Sequence, residues 1–237
     1  MDDDISNESE STNNSKEFYN NAIKYWNEIP ATLDGMLGGF GFISNTDING
    51  SQKFLKSLFK IKNPPAKTYA LDCGSGIGRI TKELLIKHFK YVDLVEQNSK
   101  FLDTAKNLLS DYSTRIGQYY PQGLQDFNPV SKKYDIIWCQ WVLGHLEDND
   151  LIQFFIKCIN ALSDNGILIV KENITTSDTI EVDSKDSSVT RSYENIKSIF
   201  KSAGLICIKE QKQLHLPRGL YPVYMFALRS AEIPIES

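Results

Sequence analysis

The chain has 237 residues, 41% of them hydrophobic, enough to bury a full core as one large domain with an extension. Its net charge of −4 and pI of about 5.5 argue against a general nucleic-acid binder, which would carry a basic face. The same charge suits cationic substrates only weakly. Cys73, Cys139, Cys158 and Cys207 are scattered, with no CxxC and no Cys/His pairing, so neither a zinc site nor a disulfide framework is expected. Reduced, buried thiols in an intracellular protein are the reading. No apolar run approaches the ~18 residues of a membrane span.

In chain order, MDDDISNESESTNNS is acidic and polar, unlike a signal peptide, and residues 1–14 are read as a disordered tail. Residues 15–64 form a helical extension. Phe18, Ala22, Tyr25, Trp26 and Ile29 fall on one helix face, at i, i+4, i+7, i+8 and i+11. The glycine-studded TLDGMLGGFGFI and the segment SQKFLKSLFKI follow, and Asn63-Pro64-Pro65 closes the extension. From 65 to 237 short apolar runs alternate with amphipathic segments. The runs are TYALDC, YVDLVE, YDIIWC, GILIVKE, LICIKE and YPVYMFALR, with a further short strand at QYYPQ. Helices are predicted over Ile77–Phe89, Asp148–Leu162 and Tyr193–Ala203. This alternation predicts an α/β fold with a mainly parallel sheet covered on both faces, ending in an antiparallel hairpin.

The loop DCGSGIG (72–78) joins a predicted strand to a predicted helix, and its glycines allow a tight turn and close backbone approach to a ligand. No Gly-Lys-Ser/Thr follows, so it is not a P-loop. The spacing is GxGxG, with Arg79 where a dinucleotide fingerprint has its last glycine. Asp72 ahead of the turn disfavours a pyrophosphate; a sulfonium cofactor with an amino-acid tail suits the site better. Glu96, ending the next strand, is placed to accept hydrogen bonds from ribose hydroxyls.

This combination resembles the class I S-adenosylmethionine-dependent methyltransferases over about residues 66 to 229. The resemblance implies a Rossmann-like, seven-stranded mixed sheet with its last strand antiparallel. On that analogy Gly74, Gly76 and Arg79 hold the methionine end of S-adenosylmethionine, Glu96 the ribose, and Leu124 and Gln125 of GLQDF lie near the adenine. Gln140 is read as a further cofactor contact.

Three other stretches are closely similar to the alpha-N-terminal protein methyltransferases: YWNEIPATLDGMLGGFG, CQWVLGHL, and VKEN followed by VDSKDSSVTRS. That family methylates the free amine of proteins beginning Xaa-Pro-Lys, adding one to three methyls (two on proline). Ribosomal proteins are expected among the targets. The implied substrate contacts are Tyr25, Trp26, Leu37, Ile43, Trp141, Asn173, Asp183, Ser188 and Tyr221. Trp141 and the Tyr25-Trp26 pair offer aromatic faces to an alkylated amine and to the substrate's proline. Asn173 is suited to the first peptide unit, and Asp183 and Asp186 supply anions for the substrate lysine. Here Asp183 is followed by Ser184 and Lys185, where the family often has two adjacent carboxylates, and Phe40 stands where tyrosine is common.

An α-amine has a pKa near 7.7–8.0, well below that of lysine, so it reaches its nucleophilic neutral form readily. A carboxylate or imidazole takes up the proton that remains, and His145 and Asp186 are the two candidates. His88 and His215 have no such support, and Trp138 is read as core. A side-chain or small-molecule methyltransferase and a non-catalytic peptide-binding module stand as alternatives. The expected setting is a monomer in the cytoplasm, with the nucleus as second compartment, without nucleic acid, membrane or metal.

Overall fold

The computed structural model describes residues 2–231, with side chains from Ser15 onward. The tail expected over 1–14 lies outside the residues whose side chains are described. The extension consists of α1 (Asp2–Glu28), α2 (Leu33–Met36), a 3-10 turn and α3 (Ser44–Leu58). The strands are β1 (Tyr69–Cys73), β2 (Tyr91–Val95), β3 (Ile116–Tyr120), β4 (Tyr134–Gln140), β5 (Leu162–Asn173), β6 (Glu181–Asp183), β7 (Ser188–Thr190), β8 (Leu205–Lys212) and β9 (Val223–Ser230). Between them lie α4 (Arg79–Glu83), α5 (Ser99–Leu108), α6 (Asp148–Ala161) and α7 (Tyr193–Ser202).

Seven strands form one sheet in the order β3-β2-β1-β4-β5-β9-β8. β1 to β5 pair in parallel, and β9 inserts antiparallel between β5 and β8. This is the mixed sheet with a terminal antiparallel hairpin that the sequence predicts. β4 is buried at every position, as a central strand covered on both faces must be. Its alternate residues feed two cores: Ile137 and Cys139 pack with α6 and α7, while Ile136 and Trp138 pack with α3 and α4. Trp138 is thus core, as read from the sequence.

Local chemistry explains the element ends. Asn98 caps α5 through Lys100 N–H and Phe101 N–H, and Ser192 caps α7 through Asn195 N–H. The single helix expected over Ile77–Phe89 is instead α4 followed by a separate 3-10 turn at Leu85–Lys87. Leu84, Leu85 and Ile86 are consecutive and all buried. The backbone of Leu84, at φ −126° and ψ −67°, leaves the α-helical region and ends α4 there. Leu162 starts β5 rather than ending α6. The strands β6 and β7 form a small hairpin where a loop is expected. All four cysteines are free, Cys73, Cys139 and Cys158 fully buried. Among the described residues no helix is long and apolar enough to cross a membrane, and no His/Cys/Asp/Glu group is arranged to hold a metal.

α1 crosses the carboxyl ends of the strands. Ser15 Oγ donates to Glu147 at 2.6 Å, the Tyr19 hydroxyl donates to Asp150, and Asn98 Nδ2 donates to Trp26 O at 3.2 Å. The extension thereby roofs the sheet edge where ligands bind in such folds.

Candidate active site

Two adjoining cavities open at that edge. The first is floored by Gly74, Ser75 and Gly76 and walled by Arg79, Glu96, Leu124, Gln125 and Gln140, with Tyr19, Ala22 and Trp26 of α1 above. Every cofactor residue expected from the sequence lies in this lining. The second is bounded by Leu37, Phe40 and Ile43, by Glu172 and Asn173, by Asp186 and Ser188, and by Leu216, Gly219, Leu220 and Tyr221. Trp26, Met36, Trp141 and His145 line both and form the partition between them.

The glycine loop is built for close approach. Gly74 and Gly76 have φ of +66° and +52°, a region that disfavours any side chain. A Cβ on Gly74 meets Val142 at 2.4 Å, and one on Gly76 meets Met36 Sδ at 2.8 Å. Glu96 ties this loop to the next helix: Oε2 accepts from Gly76 N–H at 3.0 Å and Oε1 from Asn98 N–H at 2.8 Å. Burial raises its pKa. Asp72 lies near the end of β1. It does not line the cavity; its Oδ2 accepts from Thr81 N–H at 3.0 Å and Thr81 Oγ at 2.7 Å. Its carboxylate therefore meets the first turn of α4 and takes the Thr81 N–H, a donor that a phosphate would seek. Burial pushes its pKa up to about 7.

His145 sits on a 3-10 turn, Leu143–His145, just past β4. Its Nε2 is 3.0 Å from the Trp26 indole nitrogen and its Nδ1 3.2 Å from Ser187 O. An indole only donates and a carbonyl only accepts, so the ring is neutral, with its proton on Nδ1 and its Nε2 lone pair engaged by Trp26. Burial lowers its pKa, which favours that neutral form. Asp186 lies in the β6–β7 turn, its Oδ1 accepting from Ser188 Oγ at 2.6 Å. Trp141 has a left-handed backbone, φ +53°, which turns its indole out of strand register into the partition. The Arg79 and Lys171 cations lie 5.8 and 5.9 Å from its ring centre, so part of its π-face is already engaged by the protein.

Of the expected substrate residues, Trp26, Leu37, Ile43, Trp141, Asn173, Ser188 and Tyr221 line the second cavity. Tyr25 and Asp183 line neither. Tyr25 follows the helix round to brace Trp26 edge-on at 5.4 Å. Asp183 accepts from Lys185 N–H at 2.8 Å on the exposed hairpin, but its charge reaches Tyr221 at the mouth, whose hydroxyl donates to Glu181.

Sequence reasoning misses Glu172. Its Oε1 accepts from both Val142 N–H and Leu143 N–H at 2.9 Å, while Arg191 donates to Leu143 O and Leu146 O at 2.9 and 2.6 Å. The pair grips the His145 turn from both sides. Burial raises the Glu172 pKa from 4.5 to about 7. The unfolded chain therefore ionises this carboxyl before the folded one does, and the stability it contributes is lost as pH rises from 4.5 through 7. One pKa unit corresponds to about 1.4 kcal/mol, so Glu172→Gln is expected to gain on wild type by at most about 3 kcal/mol between pH 4.5 and 8. Denaturant melts of both proteins across that range check this; parallel curves would contradict it.

The comparisons with known proteins agree with this geometry. A family model described as AdoMet-dependent proline di-methyltransferase matches residues 14–229. The chain belongs to this family. It is 46% identical to the human N-terminal Xaa-Pro-Lys N-methyltransferase 1 over 93% of this chain and 99% of that protein. It is also 46% identical to the Drosophila melanogaster alpha N-terminal protein methyltransferase 1, over 90% of this chain and 76% of that one. A solved SAM-dependent methyltransferase from Leishmania major superposes with a TM-score of 0.84 at 37% identity, covering 90% of this chain and 83% of that one. This family member is an S-adenosylmethionine-dependent methyltransferase. The first cavity fits that cofactor on its own chemistry. It offers glycines with no side chain at the turn, the Glu96 carboxylate beyond the end of β2 and a buried Ser75 hydroxyl with no protein partner among the described residues.

Proposed function

We propose that the enzyme methylates the free α-amino group of proteins beginning Xaa-Pro-Lys, by one to three methyls and by two on proline. The observation that carries the reading is the shared partition of Trp26, Met36, Trp141 and His145, across which an acceptor cavity holding Asp186 meets the cofactor cavity. The names borne by the human and fly relatives support it. Ribosomal proteins that present this N-terminus are among the substrates this reading expects. Its setting is a monomer in the cytoplasm, or secondly the nucleus.

When bound, S-adenosylmethionine supplies a methyl group on a cationic sulfur, and an in-line displacement needs a neutral amine opposite it. In this reading Arg79 with Gly74 and Gly76 holds the methionine end, Glu96 the ribose, and Leu124 and Gln125 flank the adenine. Gln140 borders the same cavity but spends its amide on protein partners, Asp47 and Trp138. On the acceptor side Asp186 accepts the amine's hydrogen bond and takes its proton. His145 is the weaker candidate for that task, because both its nitrogens are already engaged; it fixes Trp26 instead. Trp26 and Trp141 wall the proline, Leu37 and Ile43 close the apolar side, and Asn173 and Ser188 bind the first peptide unit. Asp183 and Glu181, flanking Tyr221, receive the lysine at the mouth.

Transfer to an Ala-Pro-Lys peptide, compared with Ala-Ala-Lys and Ala-Pro-Glu, tests the specificity. Each change is expected to lower kcat/KM by about tenfold or more, as loss of a filled apolar pocket or of a charged contact does. Equal rates on all three would overturn it.

A further inference from the structure

We propose that Asp47, a carboxylate of the N-terminal extension, is a positioning residue that sets two walls of the cofactor cavity, Arg79 and Gln140. Asp47 is fully buried on α3. Its Oδ2 lies 2.7 Å from Arg79 Nη1, and both of its oxygens accept from Gln140 Nε2, at 2.9 and 3.0 Å. Gln140 Oε1 accepts from Trp138 Nε1 at 3.1 Å, so that amide is held at both ends and its side chain has one orientation. Lys171, itself fully buried, pairs with Asp47 Oδ1 at 2.5 Å and is further held by Ser51 Oγ and Gln213 Oε1, each at 2.9 Å.

One feature points from this cluster to the cofactor. Among the described residues, only Nη1 of Arg79 is spent on protein hydrogen-bond partners, Asp47 and a long contact to Ser44, leaving the rest of a planar donor fork to the cavity it lines. The inference rests on the reading that Arg79 meets the methionine carboxylate. It adds that the extension, and not the glycine loop alone, orients that arginine.

The test measures calorimetric Kd for S-adenosylhomocysteine and for 5′-methylthioadenosine, which keeps adenine, ribose and sulfur but lacks the amino-acid tail. Asp47→Asn alone strands two buried cations, so the comparison is Lys171→Met against Lys171→Met/Asp47→Asn, which differ only in the carboxylate. Arg79→Met is measured alongside. Adding Asp47→Asn is expected to raise the S-adenosylhomocysteine Kd about tenfold or more, the size of a lost charge-assisted contact, while methylthioadenosine stays within about threefold. Equal S-adenosylhomocysteine affinity in the two proteins would overturn the proposal, and so would a parallel loss of both ligands, which marks a merely structural residue. If Arg79→Met leaves S-adenosylhomocysteine affinity intact, the Arg79 assignment fails and the proposal with it. If Arg79→Met weakens binding and the Asp47 change does not, the positioning role alone fails.

Discussion

Replacing Asp186 with asparagine lowers kcat on an Ala-Pro-Lys peptide by about 10²–10³-fold, while S-adenosylhomocysteine affinity stays within about twofold. The magnitude follows from what a positioned proton acceptor contributes, about 10²–10⁴-fold. Asparagine keeps the shape and can still accept from Ser188 Oγ, but it cannot take up the amine's proton. Asp186 borders the second cavity only, so the first is left unchanged. Steady-state kinetics with calorimetry of the cofactor product check both halves. A fall confined to the peptide's KM would make Asp186 a binding anion and return the proton to another group.

Glu96→Ala acts on the other cavity. Its carboxylate joins Gly76 N–H to Asn98 N–H and borders the space beyond β2. Hydrogen bonds to a charged group contribute about 1.5–3 kcal/mol each. Losing two from ribose hydroxyls raises the Kd for S-adenosylhomocysteine by about 10²-fold or more. The variant should still bind the peptide, because Glu96 is not part of the acceptor lining. Calorimetric titration of both ligands decides this; a cofactor Kd within threefold of wild type would remove Glu96 from the ribose site.

The cofactor cavity was legible because its determinants are local. GxGxG between a strand and a helix, and an acid at the next strand's end, are short-range patterns fixed by turn geometry and strand register. The acceptor cavity was less so. Its aromatic and acidic residues are scattered over α1, the loop after α2, the turn after β4, β5, the β6–β7 hairpin and the loop before β9, and without a family pattern Asp183, Asp186 and Ser188 read as a solvated loop. Tyr25 shows the limit of reading pairs: adjacent helical residues diverge, so only Trp26 reaches the cavities.

Asp47 was missed because its partners lie 32 and 93 residues away. A signal existed all the same. Asp47 and Ser51 fall on the same helical stripe as Phe54, Leu55 and Leu58, at i, i+4, i+7, i+8 and i+11, so the buried face of α3 carries polar groups that need buried partners. Lys171 and Glu172, directly after the apolar run 167–170 of β5, signal the same thing from the opposite side. Read together, those positions mark where the sheet and its extension meet around the ligands.

The most direct measurement is mass spectrometry of an Ala-Pro-Lys peptide incubated with the enzyme and S-adenosylmethionine, beside the same peptide with its N-terminus acetylated. Methyl groups found only on the free peptide, and located on its α-nitrogen by fragmentation, are the expected result. Methylation of both peptides would place the acceptor on a side chain and contradict the N-terminal reading.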